Sequence, residues 1–283
     1  PGGAYCSDGD IKVYALNNGD SAITANDVIV AQVDGVDVLN TPFFGDMSPN
    51  LAGYWKLDET SGTIATDSSG KNNNGAFEGT SKWVPGKQKN AAQFDLSDGA
   101  DDIKVNGVPI VTSAGTYNTA QFWMLWKGAS GGMPFGWQTA YDLWFSGDTF
   151  GFNTGGGDLY GISGANAKLA NRWAHVTAIF PNSYPTDEPA LYIDGVKQSL
   201  SLLQGTRNAR SAATPVFISG WGAGIVNMFT GTVDEVKVYT SVIGSVNIQP
   251  GKSGPIISYP GAEGKHIIRI GTSTNVAETS VTC

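Results

Sequence analysis

Asp234 is a carboxylate placed where a strand wants a core residue. In Gly231-Thr232-Val233-Asp234-Glu235-Val236-Lys237-Val238-Tyr239, strict alternation puts Thr232, Asp234, Val236 and Val238 on one face, two of them apolar. A carboxylate on such a face has to be neutralised or fully hydrogen-bonded. Calcium is one solution, because it takes oxygen ligands from Asp, Asn and carbonyl groups. Backbone N–H groups in turns are the other. A second chemistry comes from indoles, which stack on the apolar C–H face of a pyranose while amides and carboxylates bind its hydroxyls. The stretch Gln121-Phe122-Trp123-Met124-Leu125-Trp126 is apolar on both faces, and Asp142, Trp144 and Ser146 oppose Tyr141, Leu143 and Phe145. A strand of this kind is covered on two sides or floors a ligand-binding concavity. Trp123, Trp137, Trp144 and Trp221 are the candidates for a concave carbohydrate-binding face, with Asn153, Asp158 and Asn182 as polar contributors from loops. Filling a large core is the competing use of the same indoles.

Catalytic groups are sparse. The glutamates, Glu59, Glu78, Glu188, Glu235, Glu263 and Glu278, are too widely spaced for the paired carboxylates of a glycoside hydrolase, and adjacent Asp234 and Glu235 point to opposite faces of a regular strand. The two histidines, His175 and His266, lie in separate parts of the chain, and no Gly-x-Ser-x-Gly elbow is present. The expectation is a non-catalytic protein.

The elements that must hold these residues are strands. The 283 residues include 38 Gly and 13 Pro but only 15% charged side chains, a composition for short strands and tight turns. The net charge of −8, without a Lys/Arg cluster, excludes nucleic acid and anionic lipid as partners. No apolar run is long enough for a membrane span. The opening Pro1-Gly2-Gly3 reads as the stump of a removed leader or anchor. The two cysteines, Cys6 and Cys283, stand at the extremities. They are either buried thiols or a disulfide, and in an exported chain their placement favours the disulfide. It would close nearly the whole chain at a chain-entropy value of roughly 5 kcal/mol, in an oxidising compartment.

Four pieces in order resemble laminin-G-like, concanavalin A-like jelly rolls. They are Tyr54-Trp55-Lys56-Leu57-Asp58-Glu59 with Asp67-Ser68-Ser69-Gly70 and Asn74-Gly75, then Arg172-Trp173-Ala174-His175-Val176, Leu191-Tyr192-Ile193-Asp194-Gly195, and the closing strand around Asp234. The resemblance implies a calcium between opening and closing strands, with Asp58, Asp67 and Asp234 as side-chain ligands and Glu59 as a competitor to Asp58. The flanks resemble the β-sandwich of archaeal archaellins and type IV pilin-like proteins through Cys6-Ser7-Asp8-Gly9-Asp10-Ile11-Lys12-Val13-Tyr14 and Gly264-Lys265-His266-Ile267-Ile268-Arg269-Ile270.

Pro/Gly-rich linkers mark the joins. The expected fold is therefore all-β: a jelly-roll sandwich over 49–246 inserted in a smaller, immunoglobulin-like pilin-type sandwich formed by 1–48 and 247–283. The resemblances imply an extracellular, cell-surface appendage. Its head would meet a glycan or a host or abiotic surface, and its subunits would join through an N-terminal helix that this sequence lacks. A purely structural filament or surface-layer subunit and a secreted protein-binding laminin-G-like module are the alternatives.

Overall fold

The computed structural model describes the chain apart from residues 1–2, 8–9, 18–20, 29, 40, 46, 81, 96–100, 129–130, 184–185, 223–226, 243–246, 261–263 and 273–274. The boundary at Val246 and the end of the Asn17–Asp20 turn fall outside the described residues. Nearly everything else is strand; the α-helix among the described residues is the five-residue Ala165–Leu169. Two compact units emerge, one from Pro1–Asn50, Asp194–Val196 and Ser241–Cys283, the other from Leu51–Ile193 and Lys197–Thr240.

In the terminal unit, strands from the two ends of the chain complete each other. Asp10–Leu16 pairs antiparallel with Ser253–Pro260, and Val30–Val33 pairs with Lys265–Thr272, which in turn pairs with Asn275–Thr282. The Asp34-Gly35 turn carries positive φ at both positions (51° and 80°), as a two-residue hairpin requires, and reverses the chain from Val30–Val33 into Val36–Asp37. Ile11, Val13, Ala31, Val33, Phe43, Ile257 and Ile268 are buried here. Cys6 and Cys283 form a disulfide across 277 residues.

The larger unit is a sandwich whose described strands form an eight-stranded and a nine-stranded sheet. In the first, Tyr117–Trp126 lies between Trp173–Pro181 and Gly231–Tyr239. In the second, Tyr141–Ser146 lies between Phe135–Trp137 and Thr149–Asn153, which pairs onward with Leu159–Ser163. Period-two alternation turns Phe122, Met124 and Trp126 of one sheet toward Phe135, Leu143, Phe145 and Phe152 of the other, all inside one buried cluster. Aromatic rings bridge the layers: Trp126 stacks on Phe145 with centroids 4.0 Å apart, and Phe180 meets Phe152 edge-on at 5.1 Å. The unit's ends adjoin, since Leu51 is the register partner of Tyr239.

Candidate functional site

Each indole candidate has a distinct place. Trp137 is fully buried within the core cluster, edge-on to Phe135 at 5.0 Å and to Phe180 at 5.6 Å. It is therefore a core residue and not part of a concave face. The three-residue strand Phe135–Trp137 turns both aromatic rings inward and leaves Gly136 outward. Trp123 does face away from the core, but only 4% of it is exposed. His175 packs edge-on at 5.1 Å and the Lys87 ammonium sits 4.9 Å from the ring centroid, so both sides of the indole are occupied by protein.

Trp144 and Trp221 are different, because both are only half-buried, although their indole N–H groups, like that of Trp137, are themselves buried without a partner. Trp144 shares the outer face of the nine-stranded sheet with Asp142 and Ser146. Its register partner is Gly151, which is opposite Gly161 on the next strand. A Cβ at Gly151 would collide with the Tyr160 carbonyl oxygen, and one at Gly161 with the Phe150 carbonyl oxygen, so the strands are pressed together and the ground beside Trp144 is bare backbone. This face also curls. Ser146 and Gln204 are three strand spacings apart, roughly 14 Å on a flat sheet, yet the Ser146 hydroxyl donates to Gln204 Oε1 at 3.1 Å. Trp221 follows Gly220, whose carbonyl oxygen stands 3.3 Å from where a Gly136 Cβ would be, so its loop reaches the same outer face. The loop residues have other duties. Asn182 Nδ2 donates to the Val111 carbonyl (2.7 Å) and Thr116 Oγ1 (2.9 Å), while its Oδ1 accepts the Ala212 N–H (2.8 Å), which commits the whole amide to joining segments.

The carboxylates at the other sheet do not form one cluster. Asp67 is a turn anchor: Oδ1 accepts the N–H groups of Tyr54 (3.1 Å) and Ser69 (2.8 Å), and Oδ2 accepts that of Asn73 (2.9 Å). Burial pushes its carboxyl upward, but the hydrogen bonds from Ser69, Asn73 and Tyr54 outweigh it and the net shift is downward. Asp234 departs from simple alternation. Glu235 has φ of +55° and the register slips here, so a bulge returns Val236 and Val238 to the core while Asp234 pairs with Trp123 on the outer face. The carboxylate is nevertheless fully buried beside the 86–89 turn: Oδ2 accepts the Gln88 N–H at 2.8 Å and Oδ1 has no partner. Burial foremost, helped by the charges of Glu235 and Asp58, raises its carboxyl to about 8 against the pull of backbone N–H groups.

Asp58 pairs with Lys89 Nζ at 3.0 Å, and Asn90 Nδ2 ties together the carbonyls of Asp58 and Glu59. Glu59 Oε1 accepts the Thr66 N–H at 2.8 Å, leaving Oε2 buried without a partner. Of the three expected ligands, Asp67 is committed to its own turn, Asp58 is paired with Lys89, and Asp234 keeps one buried oxygen without a donor. Among the described residues, no three His, Cys, Asp or Glu side chains gather as one metal-holding group.

Sequence reasoning missed the most heavily buried acid of the nine-stranded sheet, Asp142. Alternation beside Trp144 placed it outward, and its burial comes from tertiary packing that no local pattern carries.

The solved structures that resemble the chain include the binding domain of Paraclostridial Mosquitocidal Protein 1, at 15% identity and a TM-score of 0.51, covering 70% of this chain and 50% of that one. Botulinum neurotoxin type C, whose cell entry is described as dependent upon interaction with two ganglioside molecules, matches at 12% identity and 0.50, covering 69% and 49%. Domain 4 of AbnA, a GH43 extracellular arabinanase from Geobacillus stearothermophilus seen with arabinotriose, matches at 18% and 0.45, covering 68% and 93%. The match spans about half the length of the two toxin chains. Among curated proteins none matches. The laminin-G-type family model described as the concanavalin A-like lectin/glucanases superfamily matches residues 97–249, more than half of the sequence and including Trp123, Trp144, Trp221 and Asp234. The chain belongs to the concanavalin A-like lectin/glucanases superfamily.

Proposed function

We propose that the larger unit is a non-catalytic carbohydrate-binding module whose sugar platform is the outer face of the nine-stranded sheet at Trp144, with Trp221 beside the same face. The observation that carries this reading is the half-buried Trp144 indole next to the side-chain-free Gly151–Gly161 pair on a curled sheet. A flat sugar ring could stack on the exposed part of the indole, over the bare backbone of the glycine pair beside it. Family membership supports the class of ligand.

The terminal sandwich, in this proposal, is a pilin-like stem. The whole is a cell-surface subunit that displays the module for adhesion to glycans or surfaces, joined to other subunits through a helix outside this sequence. Multivalent display converts weak single-site contacts into useful avidity. The Cys6–Cys283 disulfide supports an extracellular setting. Calcium held by Asp58 and Asp234 would neutralise the buried Asp234 carboxylate and fasten the opening segment to the closing strand.

The test is a glycan array probed with the wild-type chain, Trp144→Ala and Trp123→Ala. Loss of about 1–2 kcal/mol of binding, roughly 5- to 30-fold, is expected for Trp144→Ala with its fold intact. Trp123→Ala should act through stability instead. Wild-type protein that retains no glycan points to a purely structural subunit, and undiminished binding by Trp144→Ala removes the platform assigned here.

A further inference from the structure

We propose a second, separate cation site on the outer face of the nine-stranded sheet, built by Asp142 and Asp158 and taking a hard divalent cation such as calcium.

Asp142 is 0% exposed, and neither of its carboxylate oxygens has a hydrogen-bond partner. Asp158 is also 0% exposed: its Oδ1 accepts the N–H (2.9 Å) and the hydroxyl (2.7 Å) of Thr154, whereas its Oδ2 is unpartnered. Three carboxylate oxygens are thus buried without donors. Leaving even one such acceptor unsatisfied is costly, and a buried pair of like charges is costlier. The two acids interact, because burial first and the Asp158 charge second push the Asp142 carboxyl well above its ordinary range.

The surroundings supply oxygen rather than nitrogen or sulfur. Asn153 is the register partner of Asp142 and is 3% exposed; its Oδ1 accepts only the Gly155 N–H at 3.0 Å among the bonds seen here. The Gly220 carbonyl oxygen approaches the same spot: it stands 3.3 Å from the position a Cβ would take at Gly136, where that Cβ would also collide with Asp142 Oδ1. Glycine at 136 therefore leaves open a small space bordered by a carboxylate oxygen and a carbonyl oxygen. Two carboxylates with amide and carbonyl oxygens suit calcium or a similar hard ion, and one divalent charge cancels both acids. A sugar hydroxyl is a poorer occupant because the acids lie below the surface that Trp144 presents.

The site is separate from the Asp58 and Asp234 carboxylates, and its test reads cation binding directly and needs no glycan. Equilibrium dialysis against calcium, with terbium luminescence as a parallel readout, is to be run on the full wild-type chain and on the Asp142→Asn, Asp158→Asn and Asp234→Asn variants. Asparagine keeps the shape of aspartate and removes the buried charge, so Asp142→Asn should be at least as heat-stable as wild type in chelator. The expected result is that Asp142→Asn and Asp158→Asn each lose one bound equivalent, or bind it at least tenfold more weakly, while Asp234→Asn keeps that equivalent. The same stoichiometry and affinity in wild type and Asp142→Asn would overturn the proposal. So would an Asp234→Asn protein that binds no cation, a result that needs no Asp142 variant to fold.

Discussion

Removing the disulfide should destabilise the terminal unit and leave the larger unit untouched. The perturbation is Cys6→Ser with Cys283→Ser. If the whole chain unfolded at once, the bridge would close a loop of 277 residues, for which chain entropy gives roughly 5.6 kcal/mol. The effective loop is shorter. Leu51 and Tyr239 are held in register by the larger unit's own sheet, so when the terminal unit alone unfolds the flexible path from Cys6 to Cys283 is about 90 residues, giving roughly 4.6 kcal/mol as an upper value. With a urea m-value of about 1–1.5 kcal/mol/M for a unit of this size, its midpoint falls by up to roughly 3–5 M.

The chain supplies its own probes. All eight tryptophans, from Trp55 to Trp221, belong to the larger unit, so indole fluorescence reports that unit alone. Amide hydrogen exchange in Asp10–Leu16 and Lys265–Thr272 reports the other. The expected outcome is a large loss of protection in those strands with an unmoved fluorescence transition. A fluorescence transition that shifts as far as the exchange would refute the separation of the loop into two independently unfolding parts.

Burial foremost, with Glu78 and Asp101 adding to it against the opposing charge of Lys104, raises the Asp102 carboxyl to about 7. The folded state therefore holds this proton more tightly than the unfolded chain. The associated stability is present below pH 4 and is lost as pH rises through 7, by up to about 4 kcal/mol. Asp102→Asn should flatten that part of the pH–stability profile measured by urea unfolding, and an unchanged profile would contradict it. Gly151→Ala should cost about 1–3 kcal/mol, because the obstacle is the Tyr160 backbone and the strands must part; thermal unfolding checks this. Asn182→Ala strands the buried Ala212 N–H, while the Val111 carbonyl keeps the Asn118 amide, and should cost about 1–3 kcal/mol by the same measurement.

The strand content and the antiparallel closure of the two chain ends were legible because period-two alternation and Asp-Gly turns are local signals. Cys6 and Cys283 were legible from position alone. Asp234 shows where alternation stops informing: one residue with positive φ, Glu235, inserts a bulge and exchanges the faces on either side of it, and only the cross-strand register reveals this. Among the indoles, Trp137 and Trp144 stand in equally aromatic neighbourhoods. What separates them is the direction of a three-residue strand and the glycines on the strands beyond, and both depend on residues distant in sequence. Asp67, placed as a ligand by resemblance, is held by three backbone donors of its own turn.

The adjacency of Leu51 and Tyr239 makes the larger unit a cassette. Paired residues of neighbouring strands lie about 5 Å apart, a gap that a two- or three-residue turn spans. The segment between them could be replaced by such a turn, except that Asp194–Val196, whose Asp194 carbonyl accepts the Tyr259 hydroxyl, belong to the terminal unit and would be lost with it. Any sequence that diverges or is exchanged between Leu51 and Tyr239 must therefore still return those three residues to the terminal unit, a constraint that reaches into the middle of the larger unit from outside it.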